Sequence, residues 1–161
     1  MGRRNRLSAG DLIREARGGV LALVALFLPI AVLCVGMVVD LGTVFVVRKA
    51  VQAACDLGAL AGVQELDWDL LAAGTVSLRE EEAEAFAKEV TADNLEPIKT
   101  LVLDAHVSAS VLNPPTKAEP TVAVSVTYSV RMLFLRTLPG LGEGFRDRRV
   151  SEASVVKRTE W

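Results

Sequence analysis

One uncharged apolar run of 21 residues, from Gly19 to Val39, constrains the fold of this 161-residue chain more than any other feature. At a rise of about 1.5 Å per residue, a helix of this length spans about 31 Å, close to the ~30 Å hydrocarbon core of a bilayer. Core helices of soluble domains rarely run so long without a charge, and signal peptides have shorter apolar regions. The sequence therefore predicts a transmembrane helix over residues 18–40, ended by Asp40.

Charge is distributed unequally on the two sides of this run. Five arginines precede it against two acidic residues, whereas residues 65–104 hold eleven acidic residues against three basic ones. Because positively charged flanks remain in the cytoplasm, we predict a basic cytoplasmic tail over residues 1–17 and an extracytoplasmic remainder. Nucleic-acid binding is the alternative interpretation of the arginines. No folded module or interleaved aromatic residue accompanies them, so we expect no nucleic-acid partner.

After Asp40 the helical pattern continues, and we predict a helix extension over residues 41–66. Small and apolar residues recur there at intervals of three and four: Val44, Val47, Val51, Ala54, Gly58 and Ala61. Such a stripe predicts close packing on another element. The sequence leaves open whether that element is the chain's own sheet or the same helix of another subunit.

Residues 67–161 have the pattern of one small extracytoplasmic α+β domain. Ser77 and Glu80 form a candidate capping box for an amphipathic helix from Ser77 to Ala92. Its apolar face would hold Ala83, Phe86, Ala87 and Val90. Alternating apolar and polar residues predict strands over 101–112 and 121–132, with a third over 149–158. The predicted fold class is α+β: a transmembrane helix continues into an extracytoplasmic helix packed on a small antiparallel sheet.

Two groups of residues are candidates for contacts with partners. Asp40, at the end of the run, would either pair with a basic group or be solvated at the membrane boundary. The first group, predicted to set helix packing and register, consists of Pro29, Gly36, Asp40, Gly42, Gln52 and Asp56. The second forms a dense apolar loop, for which core packing and a partner or membrane contact are both considered: Leu133, Phe134, Leu135, Leu138 and Leu141.

Residues that carry chemistry are scarce. The single histidine, His106, lies on the polar side of a predicted strand, with no Cys or His at the spacing of metal ligands. No pattern of a phosphate-binding loop, nucleophile elbow, zinc site or dinucleotide fold occurs. We therefore expect no enzymatic activity, no cofactor and no metal.

The order of basic tail, apolar run with a central proline, and VDLGTVFVVRKAVQAACDLGALAGVQEL resembles the TadE/TadG-like proteins of the Flp (tight-adherence, Tad) pilus assembly system. The resemblance extends over about Arg17 to Leu66. It rests on Arg17, Gly18, Pro29, Asp40, Gly42, Arg48, Gln52, Asp56, Ala59, Leu60 and Ala61. It implies a pseudopilin-like single-pass protein of the bacterial inner membrane, with other pilus or pseudopilin subunits and an inner-membrane platform as partners.

The chain departs from the patterns of this family in two respects. Processed members have a glycine before the cleaved bond and a glutamate at the fifth position after it. A cut after Gly18 or Gly19 would place Leu23 or Val24 there, so we expect the tail to be retained. The DxSxS metal motif of large TadG proteins is absent from the sequence, so metal-dependent adhesion is not implied.

Two functional hypotheses follow. The first is a non-enzymatic, membrane-anchored assembly component, minor pseudopilin-like or TadG-like, of a Tad/Flp type IV pilus or related secretion machine, acting as a homo- or hetero-oligomer. The alternative is a solitary membrane-tethered module that binds a ligand outside the membrane. The first requires the anchor for function, whereas the second predicts that the part from about Gln64 onward folds and binds alone.

Overall fold

A computed structural model describes residues 9–114, 119–135 and 145–155, excluding the side chains of residues 9–18. The chain divides at Asp40 into two compact units, Met1–Val39 and Asp40–Trp161. One long helix, α1 (Ala9–Gly62), contributes to both. Its apolar part is long enough to cross a membrane, which confirms a candidate span within the part of the chain that the structure describes.

The first unit consists, in its described part, of the first portion of α1. From Gly19 to Val39 every described residue except Gly36 is exposed in the isolated chain, although the segment is apolar throughout. Pro29 lies inside the helix without ending it. An apolar helix whose side chains are exposed on all sides is typical of a segment that lies in lipid.

The second unit contains the remainder of the fold. The second portion of α1 is followed by α2 (Trp68–Ala72), α3 (Glu80–Leu95), a 3₁₀ turn (Glu96–Ile98), β1 (Val102–Leu112), β2 (Thr121–Val130) and β3 (Phe145–Ser154). The strands form an antiparallel sheet in the order β1-β2-β3. The predicted α+β class, with a long apolar N-terminal helix and a small antiparallel sheet, is confirmed.

The core lies on one face of the central strand, β2. Its alternating residues Val122, Val124, Val126, Tyr128 and Val130 are all fully buried. They share a cluster with the buried stripe of α1 and with Ala83, Ala87 and Leu95 of α3. The opposite face of β2 carries small and polar residues, of which Ser125 and Ser129 are also buried and the others are partly covered. The period-two pattern of the sequence therefore separates an apolar face from a mainly polar one, and neither face is fully exposed.

Strand β1 carries an irregularity that the sequence pattern did not predict. The pairing register with β2 shifts between Leu103 and His106, and Asp104 has a positive φ of 52°. A β-bulge of this kind inserts an extra residue, and short polar residues such as Asp tolerate the left-handed conformation. As a result, half-buried and exposed residues alternate regularly along β1 only from Val107 onward.

The third strand begins four residues earlier than predicted, at Phe145, and ends at Ser154. The prediction was wrong because Arg146, Asp147, Arg148 and Arg149 are a charged run, and charge disfavours a strand assignment. Asp147 and Arg149 lie opposite core residues of β2, where their charges are paired. The predicted end at Arg158 lies outside the described residues.

The start of α3 also differs from the prediction. The helix begins at Glu80 after Arg79, which makes no side-chain cap, so the proposed Ser77 capping box is wrong. Leu78 is buried and pairs with Leu66 in an isolated bridge, which keeps this segment extended. The side chain of Asn113 fixes it further by bonding both the N–H and the C=O of Leu78.

The buried face of α3 is rotated from the predicted one. Ala83 and Ala87 are buried as expected, but Thr91 and Leu95 complete the face and Phe86 is exposed. The hydroxyl of Thr91 is satisfied because it donates to the Ala87 carbonyl at 2.7 Å. The predicted loop of residues 66–76 contains the short helix α2, which Asp67 caps through the N–H groups of Asp69 and Leu70.

Candidate functional site

The candidate site is the second portion of α1 together with the elements that contact it, and Asp40 is its first residue. The Asp40 side chain is buried, with 1% of its surface exposed. Its carboxylate accepts three backbone N–H bonds, from Leu133 at 2.9 Å, Phe134 at 3.0 Å and Leu135 at 2.6 Å. Three convergent amides are a strong way to hold a buried carboxylate, because each bond is charge-assisted.

This geometry corrects both interpretations of Asp40 made from the sequence. The partners among the described residues are backbone amides that follow β2 in the same chain, and the buried carboxylate is not simply solvated. Three consecutive N–H groups directed at one anion form an anion-binding concavity of the kind found in backbone nests. Asp40 therefore fixes the start of the apolar loop to the second portion of α1.

The apolar loop is described only in its first part. Leu133 is 62% exposed and Phe134 is 45% exposed, whereas Leu135 is partly covered. Core packing therefore does not account for Leu133 and Phe134. The other two predicted contact residues, Leu138 and Leu141, lie outside the described residues.

The remaining predicted packing residues differ in what they contact. Gln52 donates to Asp56 at 2.9 Å and to the Val150 carbonyl of β3 at 3.5 Å, so it bridges within its helix and toward the sheet. A side chain added at Gly42 would meet nothing within 4 Å. A role of these residues, or of Pro29 and Gly36, in register between subunits stays a prediction.

A charged cluster between α1 and β3 was missed by the sequence analysis. Asp147 accepts from Arg48 at 2.9 Å and from the Tyr128 hydroxyl at 3.3 Å, and it pairs with Arg149 at 3.1 Å. The Arg48 guanidinium also lies 4.8 Å from the centre of the Phe145 ring. The sequence shows these charges but not that residues 99 positions apart are neighbours.

Opposing effects set the pKa of Asp147. Burial raises the pKa of this carboxyl, but the N–H bond from Arg148 and the bond and charge of Arg48 outweigh it. The pKa therefore lies below its ordinary value of 3.8. Burial also raises the pKa of the Tyr128 hydroxyl above 10. Around neutral pH the cluster thus holds an ionised carboxylate and a neutral phenol between two arginines.

The small-residue stripe of α1 packs within the chain. A Cβ added at Gly58 would overlap the Thr91 hydroxyl and lie 2.8 Å from the Ala87 carbonyl oxygen of α3. One added at Gly62 would lie 2.9 Å from Val122 of β2. Glycines four positions apart let helix backbones approach closely. The alternatives left open by the sequence are resolved for this stripe in favour of the chain's own elements.

The described residues offer little for catalysis or metal binding. No group of three or more His, Cys, Asp or Glu among them could hold a metal ion. His106 is exposed and pairs across the sheet with Thr127. The interactions that the arrangement does supply are apolar contact, backbone hydrogen bonding and charge pairing.

Comparison with known proteins gives one match. A family model described as "Putative Flp pilus-assembly TadE/G-like" matches residues 18–65. No curated protein and no solved structure matches the chain. The matched range comprises the apolar run and its helical extension and stops before the sheet. The resemblance found in the sequence is thus confirmed: residues 18–65 are similar to TadE/G-like proteins of Flp pilus assembly.

Proposed function

We propose that this protein is a non-enzymatic, single-span assembly component of a Tad/Flp type IV pilus or related bacterial secretion machine, of minor pseudopilin-like or TadG-like character. The observation that carries the proposal is the family match to residues 18–65. That range holds the candidate span and the portion of α1 that organises the folded unit. The part of the chain that is similar to pilus-assembly proteins therefore includes both the candidate span and the helix face that packs into the core of the folded unit.

In the proposed arrangement the arginine-rich tail lies in the cytoplasm and the α+β unit lies outside the inner membrane. The excess of Arg before the span supports this orientation. The proposed partners are other pilus or pseudopilin subunits and the inner-membrane platform. The outward side of α1 supports them, because Leu57 and Leu60 are exposed there while the opposite stripe is buried. Exposed apolar side chains on a folded unit are candidates for contact with partners.

The decisive experiment is complementation of a deletion strain, with surface pili as the measured output. The full chain is expected to restore pili. Residues 64–161 exported behind a cleavable signal, and the same residues tethered by an unrelated single span, are expected to fail. Restoration by the exported or retethered domain would contradict the proposal and would favour the tethered binding module. A blot for each protein checks that all variants accumulate.

The state of the N-terminal tail refines the role. Intact mass spectrometry of the membrane-extracted protein is expected to show retention of residues 3–17, because Leu23 or Val24 occupies the position of the required glutamate. A mass that corresponds to cleavage after Gly18 or Gly19 would contradict this expectation. It would make incorporation into the filament the better proposal.

A further inference from the structure

We propose that Leu133 and Phe134 form a second membrane contact, which Asp40 holds at the bilayer surface. The inference rests on the proposed anchoring of the Gly19–Val39 run. Asp40 is the first residue after that run, so in a spanning helix it lies at the edge of the hydrocarbon core. The amide nitrogens of Leu133, Phe134 and Leu135 lie within 3.0 Å of its carboxylate oxygens. The segment is therefore held at the residue that would mark the membrane boundary.

The exposed surface at this level is apolar. Leu133 and Phe134 project as exposed side chains, and Leu41 and Phe45 of α1 are exposed one to five residues past Asp40. Five residues of helix rise only about 7.5 Å, which is within the interfacial layer that flanks the hydrocarbon core. A stripe on the helix and a loop fixed beside it thus present apolar side chains to the same layer.

The sequence around the segment has the character of an interfacial anchor. Arg131 precedes it and Arg136 follows it, so the apolar residues 132–135 are flanked by positive charges. Apolar side chains that enter the acyl boundary beside basic residues that reach lipid phosphates are typical of monotopic membrane contacts. A lipid surface fits this combination, and its continuity with the span makes lipid the occupant we propose.

The role of Asp40 in this contact is positional. An isolated carboxylate at the edge of the hydrocarbon core would carry a desolvation cost, which the three amide bonds offset. The same bonds satisfy backbone N–H groups that would otherwise face an apolar layer. The Asp40 carboxylate and the three N–H groups of the segment therefore satisfy each other's hydrogen bonds at the membrane surface.

Tryptophan scanning of the full chain in liposomes tests the proposal. Trp68 and Trp161 are replaced by Phe, and single tryptophans are introduced as Leu133→Trp, Val32→Trp or Leu112→Trp. Val32 lies in the apolar run and serves as the positive control. Leu112 is also exposed but ends β1, ~33 Å along the strand from the end that pairs with Val130, and serves as the matched negative control. Each protein is reconstituted into vesicles with and without brominated acyl chains, which quench nearby tryptophans.

We expect bromolipid quenching and a blue-shifted emission for Leu133→Trp and Val32→Trp, and neither for Leu112→Trp. Asp40→Asn, which keeps an oxygen acceptor but removes the charge, is expected to reduce the quenching of Leu133→Trp only. Quenching of Val32→Trp without quenching of Leu133→Trp would overturn the membrane contact and make a protein the better occupant. Absence of quenching at Val32→Trp would overturn the anchoring itself. Unchanged quenching of Leu133→Trp in Asp40→Asn would overturn the role of Asp40.

Discussion

The two portions of α1 on either side of Asp40 belong to one helix but face different surroundings. From Gly19 to Val39 the side chains are apolar and exposed all round, whereas after Asp40 a stripe with a period of three to four residues is buried. The first portion suits lipid on every side and the second suits protein on one side. One helix can thus have a portion suited to lipid and a portion suited to packing on protein. The buried stripe begins at Asp40, which marks the boundary between the two portions.

The largest effect should come from breaking the close contact of the second portion with α3. In Gly58→Val the new side chain collides with the Ala87 carbonyl oxygen, a backbone atom that moves only if the helix moves. Overpacking of this kind costs about 3 kcal/mol. We expect a large fall in the thermal unfolding temperature in detergent. The matched control is Gly42→Val, where nothing lies within 4 Å. Equal effects of the two substitutions would show that the helices do not meet at Gly58.

The next effect should come from Asp40, where the two portions meet. Asp40→Ala leaves three backbone N–H groups without their carboxylate, and we expect a loss of about 2 kcal/mol. Hydrogen exchange followed by mass spectrometry should show faster exchange at residues 133–135 than elsewhere. Asp56→Ala, which removes an exposed carboxylate from the same helix, is the control and should leave that exchange unchanged. Protection that persists in Asp40→Ala would contradict the assigned bonds.

A smaller, pH-dependent effect is expected at the Asp147 cluster. The pKa of Asp147 is lower in the folded state than in the unfolded state. Its stabilising contribution is therefore present above about pH 3.8 and is lost as the pH falls through the folded-state value. Arg149 and Tyr128, whose pKa values are both raised, do not titrate over this range. We expect Asp147→Asn to destabilise the protein by about 1 kcal/mol at pH 7 and less at pH 3.

Unfolding by urea at the two pH values measures this difference. Carboxylates as a class also titrate between pH 7 and pH 3. The quantity to compare is therefore the difference in the free energy of unfolding between the parent protein and Asp147→Asn, which is called the gap and is measured at each pH. The gap should narrow on acidification. Glu84→Gln, at an exposed pair with Lys88, is the control and should show a small gap at both values. A gap for Asp147→Asn that widens at low pH would contradict the lowered pKa.

Periodicity and charge predicted the long helix, the covered face of β2 and the small-residue stripe, because each follows from residue type and spacing. The partners of Asp40 were not predictable in the same way. They lie 93 to 95 residues away and are backbone amides, which leave no trace in side-chain identity. Strand β3 was displaced in the prediction because its inward Asp147 and Arg149 are tolerated only through partners on α1 and β2. Contacts between residues 93 to 99 positions apart depend on the folded chain and are not encoded in local residue spacing.

The smallest effect on stability should come from the outward side of the second portion of α1, and it has the clearest functional consequence. Leu57 and Leu60 are exposed, so Leu57→Ser and Leu60→Ser should each change the free energy of unfolding by less than about 0.5 kcal/mol. If other subunits pack on this side, the double variant should nevertheless lose pili in the complementation assay. Leu112→Ser, an equally apolar change at an exposed strand residue, is the control and should retain them. Normal piliation of the double variant would contradict subunit packing on this side of α1, and the subunit contacts would then have to lie elsewhere on the molecule.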